Sequence, residues 1–584
     1  MSQFSINSIL HLNKSWLLAK KLLVFIAMVG ISRLPFGESA NFFSSILIFY
    51  LVPGLFFYSY LIKKPHDIVQ LLSYSLGFGI TFHVLFNLPV FLFALNTKII
   101  FMALIPVLAS MFIFTNLSVI SLMPIRKTEV FTILLVLTVS ILFYRIGAIQ
   151  TGEDPLYYTM VKKLYNLSAV HPWDMSNYSD QNHIVKLSVG IAPFFSAVAT
   201  FCHFSGLDTY FVLKKYVWLF FIFGSLTFYS FVYEITGNKS AGYIGVLVYI
   251  LTLCLKIINV HSVDFTFVTE SIRPQLFNSY YFMPFALLCF LYFWREKKLS
   301  FNGVITLNLL LFALVLQNIS HIVPMFLILF SLICIAAFEV IGWQHRLKRA
   351  VFSVSIFFIP ALYILYMLGS ISNWGHGLGV HFLTMVQDMH YFDTSGIIDG
   401  QTLGDILSDK DKYNMENFTF LNFLERKKIL DINGSYFLNP KVLTNTSYSL
   451  LIAVFLILGR KLTDWNERVS LVSYVVLFSI LAMWFIPPLT ELIFPYYVHK
   501  FARISEFWYY FSSVLLTVII TNLLKNPNLK HFCIFTISFY LFVNDIIKLK
   551  LESSTILFAF QFLLVLSVIL LTVQSIVSKK ISAK

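Results

Sequence analysis

Charged side chains are scarce in this sequence. Asp, Glu, Lys and Arg make up 12% of its 584 residues, whereas hydrophobic residues make up 58%. A soluble domain carries about 25% charged residues, so this composition excludes an ordinary soluble protein. The chain has no P-loop, no HExxH or GxSxG motif, no GxGxxG placed after a strand, and no long cytosolic segment. We therefore do not expect direct use of ATP or of a cytosolic nucleotide sugar.

Cysteine is also rare. The sequence contains five, and all of them fall in or beside apolar runs: Cys202, Cys254, Cys289, Cys334 and Cys533. None forms the CxxC pairs of a zinc site or the loop pattern of a disulfide framework. We expect them to be small buried hydrophobic residues.

Long continuous apolar runs dominate what remains, and most have the length that a helix needs to cross about 30 Å of hydrocarbon. Barrel strands would instead alternate apolar and polar residues. The sequence thus predicts an all-α polytopic membrane protein of about 15–17 transmembrane helices, the first one retained rather than cleaved. The candidate spans are 22–36, 41–62, 68–94, 99–123, 130–149, 189–206, 216–236, 241–258, 277–294, 302–318, 321–342, 351–370, 448–459, 469–486, 508–524, 532–547 and 554–577.

Basic residues in short loops mark the cytoplasmic side. The pairs Lys20–Lys21, Lys63–Lys64 and Arg126–Lys127 lie at alternate connections, so the fifth span should run outward. This places the hydrophilic segment 150–188 outside the cytoplasm, and counting back from the C-terminus places 372–447 there too. The net charge of +14 is then explained by loops that face anionic lipid, and no nucleic-acid partner is expected.

The middle of the chain does not fit this scheme. Lys214–Lys215 and the run 295–298 both look cytoplasmic, yet three apolar runs separate them. An even number of crossings is required, so one run must be broken, re-entrant or miscounted.

The expected organisation follows from these runs. Residues 1–125 form an N-terminal module of four membrane helices, and 126–371 form a membrane core that contains the acidic loop 150–188. The extracytoplasmic loop 372–447 and the C-terminal transmembrane helices 448–584 complete the chain.

Two adjacent carboxylates, Glu153 and Asp154, stand in "QTGEDPLYY" just after the fifth span. Asp154 followed by Pro155 is typical of a helix N-cap with proline at the first helical position. The expected helix is PLYYTMVKKLYNL. A chemical role for one of the two carboxylates is the alternative, and the residues alone leave both open.

Other candidate residues lie in polar segments between the apolar runs. The rest of the acidic loop carries Asp174, Asp180 and His183 among aromatic residues, where they could serve a site or an ordinary interfacial loop. A guanidinium such as that of Arg273 suits a phosphate anion, although snorkelling at the interface is the alternative.

His321 sits at a break between two apolar runs, where a bonded interfacial histidine is the alternative interpretation. Lys500 and Arg503 lie on the inferred outer side, where the positive-inside rule does not place basic residues. An anion-binding role is therefore more credible for this pair.

The order of these segments resembles the GT-C superfamily of integral-membrane glycosyltransferases, which use lipid-phosphate-linked sugars. The segments that carry the resemblance lie within about 130–525 and are "TGEDPLYYTMVKKL", "VKLSVGIAPFFSAVATFCHFSGLD", "YEITGNKSAGYIGVLVYI", "ESIRPQLFNSYYFMPFALLCFLYF", "LQNISHIVPMF" and "HKFARISEFWYYFSSVLL". Many members carry the acidic loop after their first helix, whereas four extra helices precede it here.

The resemblance implies a GT-C-like helical bundle in the cell (inner or plasma) membrane, with its active site on the extracytoplasmic face. Asp154, or next Glu153, would take the proton of the acceptor hydroxyl, and Asp154 could also hold a divalent cation (Mg²⁺ or Mn²⁺). The sugar would move with inversion from a polyprenyl-phosphate donor to a glycan, lipid or protein acceptor. Arg273, His321, Arg503 and Lys500 would bind the donor phosphate, and the loop 372–447 would cover the acceptor.

Three other classes stay open at this point. An O-antigen-type polymerase or ligase would rely on outer-face arginines, and a transporter or flippase of lipid-linked glycans usually has two pseudo-symmetric halves. The sequence shows no internal repeat. A non-enzymatic scaffold is the third.

Overall fold

The computed structural model describes residues 20–30, 37–62, 67–93, 95–116, 126–146, 154–166, 193–255, 281–295 and 301–317, with short pieces at 351, 354–362, 453, 469, 472–479, 510 and 513–521. Regular structure in these residues is helical throughout, with no strand among them. Five of the described helices are long and apolar enough to cross a membrane. This confirms a helical membrane protein, while the count of about 15–17 helices stays a prediction.

Twelve helices are described. In chain order they are α1 (20–30), α2 (Glu38–Leu61), α3 (Ile68–Phe86), α4 (Leu88–Leu92), α5 (Thr97–Phe114), α6 (Lys127–Ile146), α7 (Asp154–Asn166), α8 (Pro193–Ser205), α9 (Thr209–Thr236), α10 (Lys239–Leu255), α11 (Met283–Arg295) and α12 (Phe301–Gln317). Helices α2, α3, α5, α6 and α9 correspond to predicted spans. The helix predicted within the acidic loop is α7, which begins one residue earlier than expected, at Asp154.

The chain divides into two compact units. The first comprises Met1–Ser230 with Asp264–Ile319, and the second comprises Phe231–Val263 with Ser320–Lys584. Most described residues belong to the first unit, which holds the helices considered below. The domain boundaries expected after residues 125, 371 and 447 stay predictions.

Helices α2 and α3 approach each other at backbone distance because each places a glycine at the contact. A Cβ on Gly54 would overlap the carbonyl of Ser75, and a Cβ on Gly79 would overlap the carbonyl of Tyr50. Small residues allow such close approach between membrane helices, where packing rather than the hydrophobic effect drives association. Gly54 and Gly79 therefore mark a backbone-to-backbone contact between α2 and α3.

A side chain of α3 supplies a hydrogen bond that a proline removes from α2. Pro53 has no N–H to donate to the carbonyl four residues earlier, that of Phe49, and the helix passes through a π-helical segment at Leu47–Leu51 just before it. His83 Nε2 donates to Phe49 O at 2.5 Å, and its ring stacks on the Phe49 ring at 3.6 Å. The histidine thus replaces a hydrogen bond that the helix itself cannot make.

Aromatic side chains connect α2 to α8 and α9. The ring of Phe42 meets those of Phe201 and Tyr216 nearly edge-on, at 6.0 and 6.3 Å. Tyr50 and Tyr216 share a buried hydrogen bond of 2.8 Å between their hydroxyls. The N-terminal helices consequently pack directly against the helices that follow the acidic loop.

One end of the first unit, called here the basic end, gathers the predicted cytoplasmic connections. Lys21 Nζ donates to Thr115 O at 3.1 Å, and Tyr60 OH donates to Phe114 O at 3.2 Å. The start of α1, the end of α2 and the end of α5 therefore lie together. The basic pair Lys63–Lys64 lies outside the described residues, so the sidedness predicted from the basic pairs stays a prediction.

The opposite end, called here the acidic-loop end, contains the end of α6. Tyr144 OH donates to Ser39 Oγ at 2.5 Å, and Thr97 Oγ1 donates to Leu164 O at 2.7 Å. The starts of α2 and α5 thus lie at the same end as α7.

The described part of the predicted span 189–206 is α8, and all of its residues but His203 are buried. Its C-terminal part lies at the acidic-loop end, where His203 Nε2 is 3.2 Å from Thr97 Oγ1. Helix α7 and the end of α8 therefore lie at the same end of the first unit, whereas a crossing at 189–206 would place them at opposite ends. Residues 167–192 lie outside the described part, so the count of crossings stays a prediction.

The structure does not place Lys214–Lys215 at the basic end, with which the sequence analysis grouped them. Both lysines lie within α9, and Lys215 Nζ donates to Tyr144 O at 2.5 Å. They belong to the acidic-loop end. From there α9 leads to the basic end, where Tyr229 OH donates to Asp67 Oδ2 at 2.7 Å.

Helix α11 also runs towards the basic end. The ring of Phe285 contacts Phe78 at 5.5 Å, and that of Tyr292 contacts Tyr74, closer to the start of α3, at 6.2 Å. Arg295 and Lys214–Lys215 therefore lie at opposite ends of the first unit.

We expect His83→Phe to lower the free energy of unfolding by about 1–3 kcal/mol, because it leaves the Phe49 carbonyl unpaired in the bundle. Pro53→Ala added to this variant should recover part of the loss, since alanine restores an N–H within α2. Thermal unfolding in detergent measures both. If Pro53→Ala lowers stability equally with and without His83, the two residues are not coupled and the account of His83 is wrong.

A single cysteine at Tyr210 should react with a membrane-impermeant thiol reagent from the same side as one at Lys162, and from the opposite side to one at Arg126. The expectation follows from the contact between Tyr158 and Tyr210, which places α7 and the start of α9 at the same end of the first unit. The measurement uses cells that express variants whose five native cysteines are replaced by serine. Labelling of the Tyr210 and Arg126 positions from one side would contradict it.

Candidate functional site

Asp154 is the first residue of α7, which packs across the acidic-loop end of the bundle. Its side chain lies outside the described part, so its role as a helix cap and its role as a catalytic base both stay predictions. The remaining sequence-predicted site residues also lie outside the described residues: Glu153, Asp174, Asp180, His183, Arg273, His321, Lys500 and Arg503. What the structure establishes is where the helix that carries Asp154 lies and which side chains surround it.

Helix α7 is fixed by polar and aromatic contacts on its inner face. Thr97 Oγ1 gives its only proton to Leu164 O, so His203 Nε2, 3.2 Å from the same oxygen, must be a donor to it. The imidazole of His203 also stacks on the ring of Tyr165 at 4.1 Å. Among its described side chains, Met160, Val161 and Leu164 are buried, whereas Lys162 is exposed. This amphipathic pattern explains why such a short helix stays against the bundle.

The turn between α8 and α9 sets the start of α9. Gly206 adopts φ +71° and its N–H donates to Cys202 O at 2.8 Å, an arrangement that ends α8 with a residue in the left-handed region. Asp208 Oδ2 then accepts from the N–H groups of Tyr210 and Phe211 at 2.8 and 3.2 Å, as an N-cap does. The sequence Gly-Leu-Asp thereby brings the first turn of α9 beside α7.

Tyrosine rings connect α7 and α9. The rings of Tyr158 and Tyr210 meet edge-on at 5.3 Å. Lys162 Nζ is 5.8 Å from the Tyr158 ring centre, and Lys214 Nζ is 5.9 Å from that of Tyr210. Both lysines follow their tyrosine by four residues, the spacing that places side chains together on a helix.

A third tyrosine and a third lysine join from α6 and α9. Lys215 Nζ lies 4.4 Å from the ring centre of Tyr144 and donates to its carbonyl. We call the whole set the tyrosine–lysine cluster: Tyr144, Tyr158, Tyr210, Lys162, Lys214 and Lys215. Within the described chain, neither Lys214 nor Lys215 has a carboxylate at ion-pair distance. The cluster is thus a partly buried positive site beside the start of α7.

A divalent cation was a further expectation for this site. Among the described side chains, no three His, Cys, Asp or Glu residues come together in a way that could hold a metal ion. Asp154 therefore stays a candidate ligand on the sequence resemblance alone.

Sequence reasoning used Lys214–Lys215 only to assign a side of the membrane and did not single out Tyr210 or His203. One signal was available, because a pair of lysines inside an apolar run, with tyrosine four residues before the first, is an unusual feature of a membrane helix. His203 gave no comparable signal, since its partners come from distant parts of the sequence.

No protein-family model matches the chain, no curated protein is significantly similar to it, and no solved structure is similar to it. The resemblance to GT-C enzymes therefore rests on the order of the sequence segments.

Proposed function

We propose that the protein is a membrane glycosyltransferase that moves a sugar from a polyprenyl-phosphate donor to an extracytoplasmic glycan, lipid or protein acceptor. The observation that carries this proposal is the pairing of two features at one end of the bundle. Helix α7 begins at Asp154, and the tyrosine–lysine cluster beside it offers positive charge without a carboxylate partner among the described residues.

The carboxylate supplies the base. Asp154, or Glu153 next to it, accepts the proton of the acceptor hydroxyl as the oxygen attacks the anomeric carbon. The bond from that carbon to the phosphate oxygen breaks on the opposite face, which inverts the configuration. Polyprenyl phosphate leaves with the electron pair, and general-base assistance of this kind contributes about 10²–10⁴ in rate.

The lysines stabilise the leaving group. Negative charge grows on the phosphate as the glycosidic bond breaks, so cationic donors that are already in place lower the barrier. Lys215 is held by Tyr144, whereas Lys214 contacts only the face of Tyr210 among its described partners. Lys214 is therefore the better placed of the two to bind phosphate, alongside Arg273, His321, Arg503 and Lys500 from the sequence expectation.

The aromatic residues suit the same substrate. The exposed fraction of Tyr210 is 39%, which leaves its ring partly open at the acidic-loop end. Sugars stack on aromatic faces, and tyrosines are frequent where a membrane protein meets the headgroup layer. A lipid-linked sugar would thus have its phosphate near Lys214 and its sugar between the tyrosines and the start of α7.

A divalent cation held by Asp154 would serve only to assist phosphate binding. Mg²⁺ or Mn²⁺ would there neutralise phosphate charge, and no step above depends on it. A polymerase or ligase of lipid-linked glycans and a flippase are the alternatives that the experiments below separate.

We expect Asp154→Asn to reduce turnover of a polyprenyl-phosphate sugar donor by about 10²–10⁴ with an unchanged melting temperature. Asparagine has nearly the shape of aspartate and is equally favoured at a helix N-cap, so this change removes the base without disturbing the helix start even where Asp154 caps it. The measurement is release of polyprenyl phosphate by the purified full-length protein, with Glu153→Gln in parallel.

The two variants together identify the base. Loss of turnover in one of them assigns that carboxylate, and undiminished turnover in both rules out the proposed mechanism. Glycan polymerisation that survives both changes would instead indicate the polymerase or ligase, and movement of intact donor across vesicles without turnover would indicate the flippase.

Lys214→Gln should lower kcat/KM for the donor by about 10²–10³, the effect of removing one preorganised donor from a developing negative charge. Lys98→Gln is the matched control, because Lys98 is an exposed lysine at the same end of the bundle that lies outside the tyrosine–lysine cluster. Equal activity of the two variants would show that Lys214 does not act on the phosphate.

A further inference from the structure

The tyrosine–lysine cluster contains a cation that the proposed reaction does not use. Lys162 follows Tyr158 by one turn of α7, and its Nζ lies 5.8 Å from the centre of the Tyr158 ring. The side chain of Lys162 is exposed, whereas that of Lys214 is half-buried. No described carboxylate lies within ion-pair distance of Lys162. Its charge is therefore open to a ligand that comes from solution.

The two lysines that contact the tyrosine rings lie at different depths. Lys214 is one turn beyond Tyr210 in α9, which leads from here towards the basic end, so it lies on the membrane side of the rings. Lys162 is one turn beyond Tyr158 in α7, which packs across the acidic-loop end. A phosphate carried by a lipid can thus reach Lys214, whereas Lys162 is accessible to an anion from the aqueous side.

Helix α7 also relates Lys162 to the proposed base. Asp154, Tyr158 and Lys162 follow one another at four-residue intervals, the spacing of neighbouring residues on one side of a helix. At about 1.5 Å of rise per residue, Lys162 lies about 12 Å along the helix from Asp154, with Tyr158 midway. A ligand with a hydroxyl at Asp154 would therefore pass Tyr158 before it reaches Lys162.

The charge of the acidic-loop end is unusual for the side on which the sequence places it. The described basic side chains at this end are Lys98, Arg145, Lys162, Lys163, Lys214 and Lys215, and the described carboxylates are those of Glu38 and Asp208. Asp208 Oδ2 accepts from two backbone N–H groups. The positive-inside rule gives no reason for a surplus of cations on an extracytoplasmic face, whereas binding of an anionic ligand does.

We propose that the acceptor is an acidic glycan, and that Lys162 binds a carboxylate or phosphate group on one of its sugars while the Tyr158 ring packs against the glycan. This inference rests on the proposed glycosyltransferase function and narrows its acceptor to one chemical class. Lys162 selects the acceptor by its charge and takes no part in breaking the glycosidic bond.

The test is isothermal titration calorimetry of the purified full-length protein in a non-ionic detergent, without sugar donor. The probes are tetragalacturonate, its neutral methyl ester and a phosphorylated tetramannoside. We expect both acidic probes to bind more tightly than the ester, and this preference to decline as added salt screens the exposed charge. The tighter of the two acidic probes identifies the group that Lys162 prefers.

Variants of α7 locate the binding. Lys162→Gln should weaken binding of the acidic probes about threefold to fivefold, as loss of one exposed ion pair does, and Lys162→Arg should retain it. Lys163→Gln is the matched control, because it removes the same charge from the next residue of the helix, which lies outside the tyrosine–lysine cluster. Tyr158→Phe keeps the ring and should bind as the wild type does, whereas Tyr158→Leu should weaken binding of all three probes.

Equal binding of tetragalacturonate and its ester, or equal effects of Lys162→Gln and Lys163→Gln, would overturn the proposal. Polyglutamate bound as tightly as tetragalacturonate would also overturn it, because charge alone would then explain the binding. So would phosphatidylglycerol binding that Lys162→Gln weakens as much, since the lysine would then bind a lipid headgroup.

Failure of the glycosyltransferase proposal would have a different signature. The wild-type protein would then release no polyprenyl phosphate from a sugar donor, while the preference for acidic probes and its dependence on Lys162 would remain. Release of polyprenyl phosphate without any preference for acidic probes would instead refute the acidic acceptor alone.

Discussion

The contact between α2 and α3 is the constraint on which the rest of the first unit depends. Gly54 and Gly79 let the two backbones meet, and the same closeness brings His83 within reach of the carbonyl that Pro53 leaves unpaired. In hydrocarbon no water can satisfy such a carbonyl. The hydrogen bond from His83 to the Phe49 carbonyl thus depends on the glycines, because it requires the short distance between α2 and α3 that they permit. Helices α8, α9 and α11 then pack on this pair through aromatic rings.

The charged groups described in the first unit lie near its two ends. The basic end holds Lys21 and the bond between Asp67 and Tyr229, and the acidic-loop end holds the tyrosine–lysine cluster. Between them, the contacts are dominated by aromatic and aliphatic side chains. Such separation keeps charged groups near the headgroup layers, where they remain hydrated. The chemistry proposed for this protein accordingly belongs to an end of the bundle rather than to its centre.

Much of the fold was predictable because length and hydropathy determine membrane spans, as α2, α3, α5, α6 and α9 show. Helix α7 was predictable from Asp154 and Pro155, which mark a helix start. The path of α8 was not, since its sequence PFFSAVATFCHFS is as apolar as a span. Hydropathy reports removal from water and does not distinguish lipid from a protein interior. The end at which Lys214–Lys215 lie depends on that path, so it was not predictable from hydropathy either. Of the candidate site, only the position of α7 could be compared with the prediction.

The placement of α7 and the end of α8 at one end of the first unit has an evolutionary consequence. The start of α9 is set locally, by the turn at Gly206 and by the contact between Tyr158 and Tyr210. A change of length between α7 and α8 therefore need not alter where α9 begins. Selection on the segment that joins these two helices is to that extent separate from selection on the packing of the later helices.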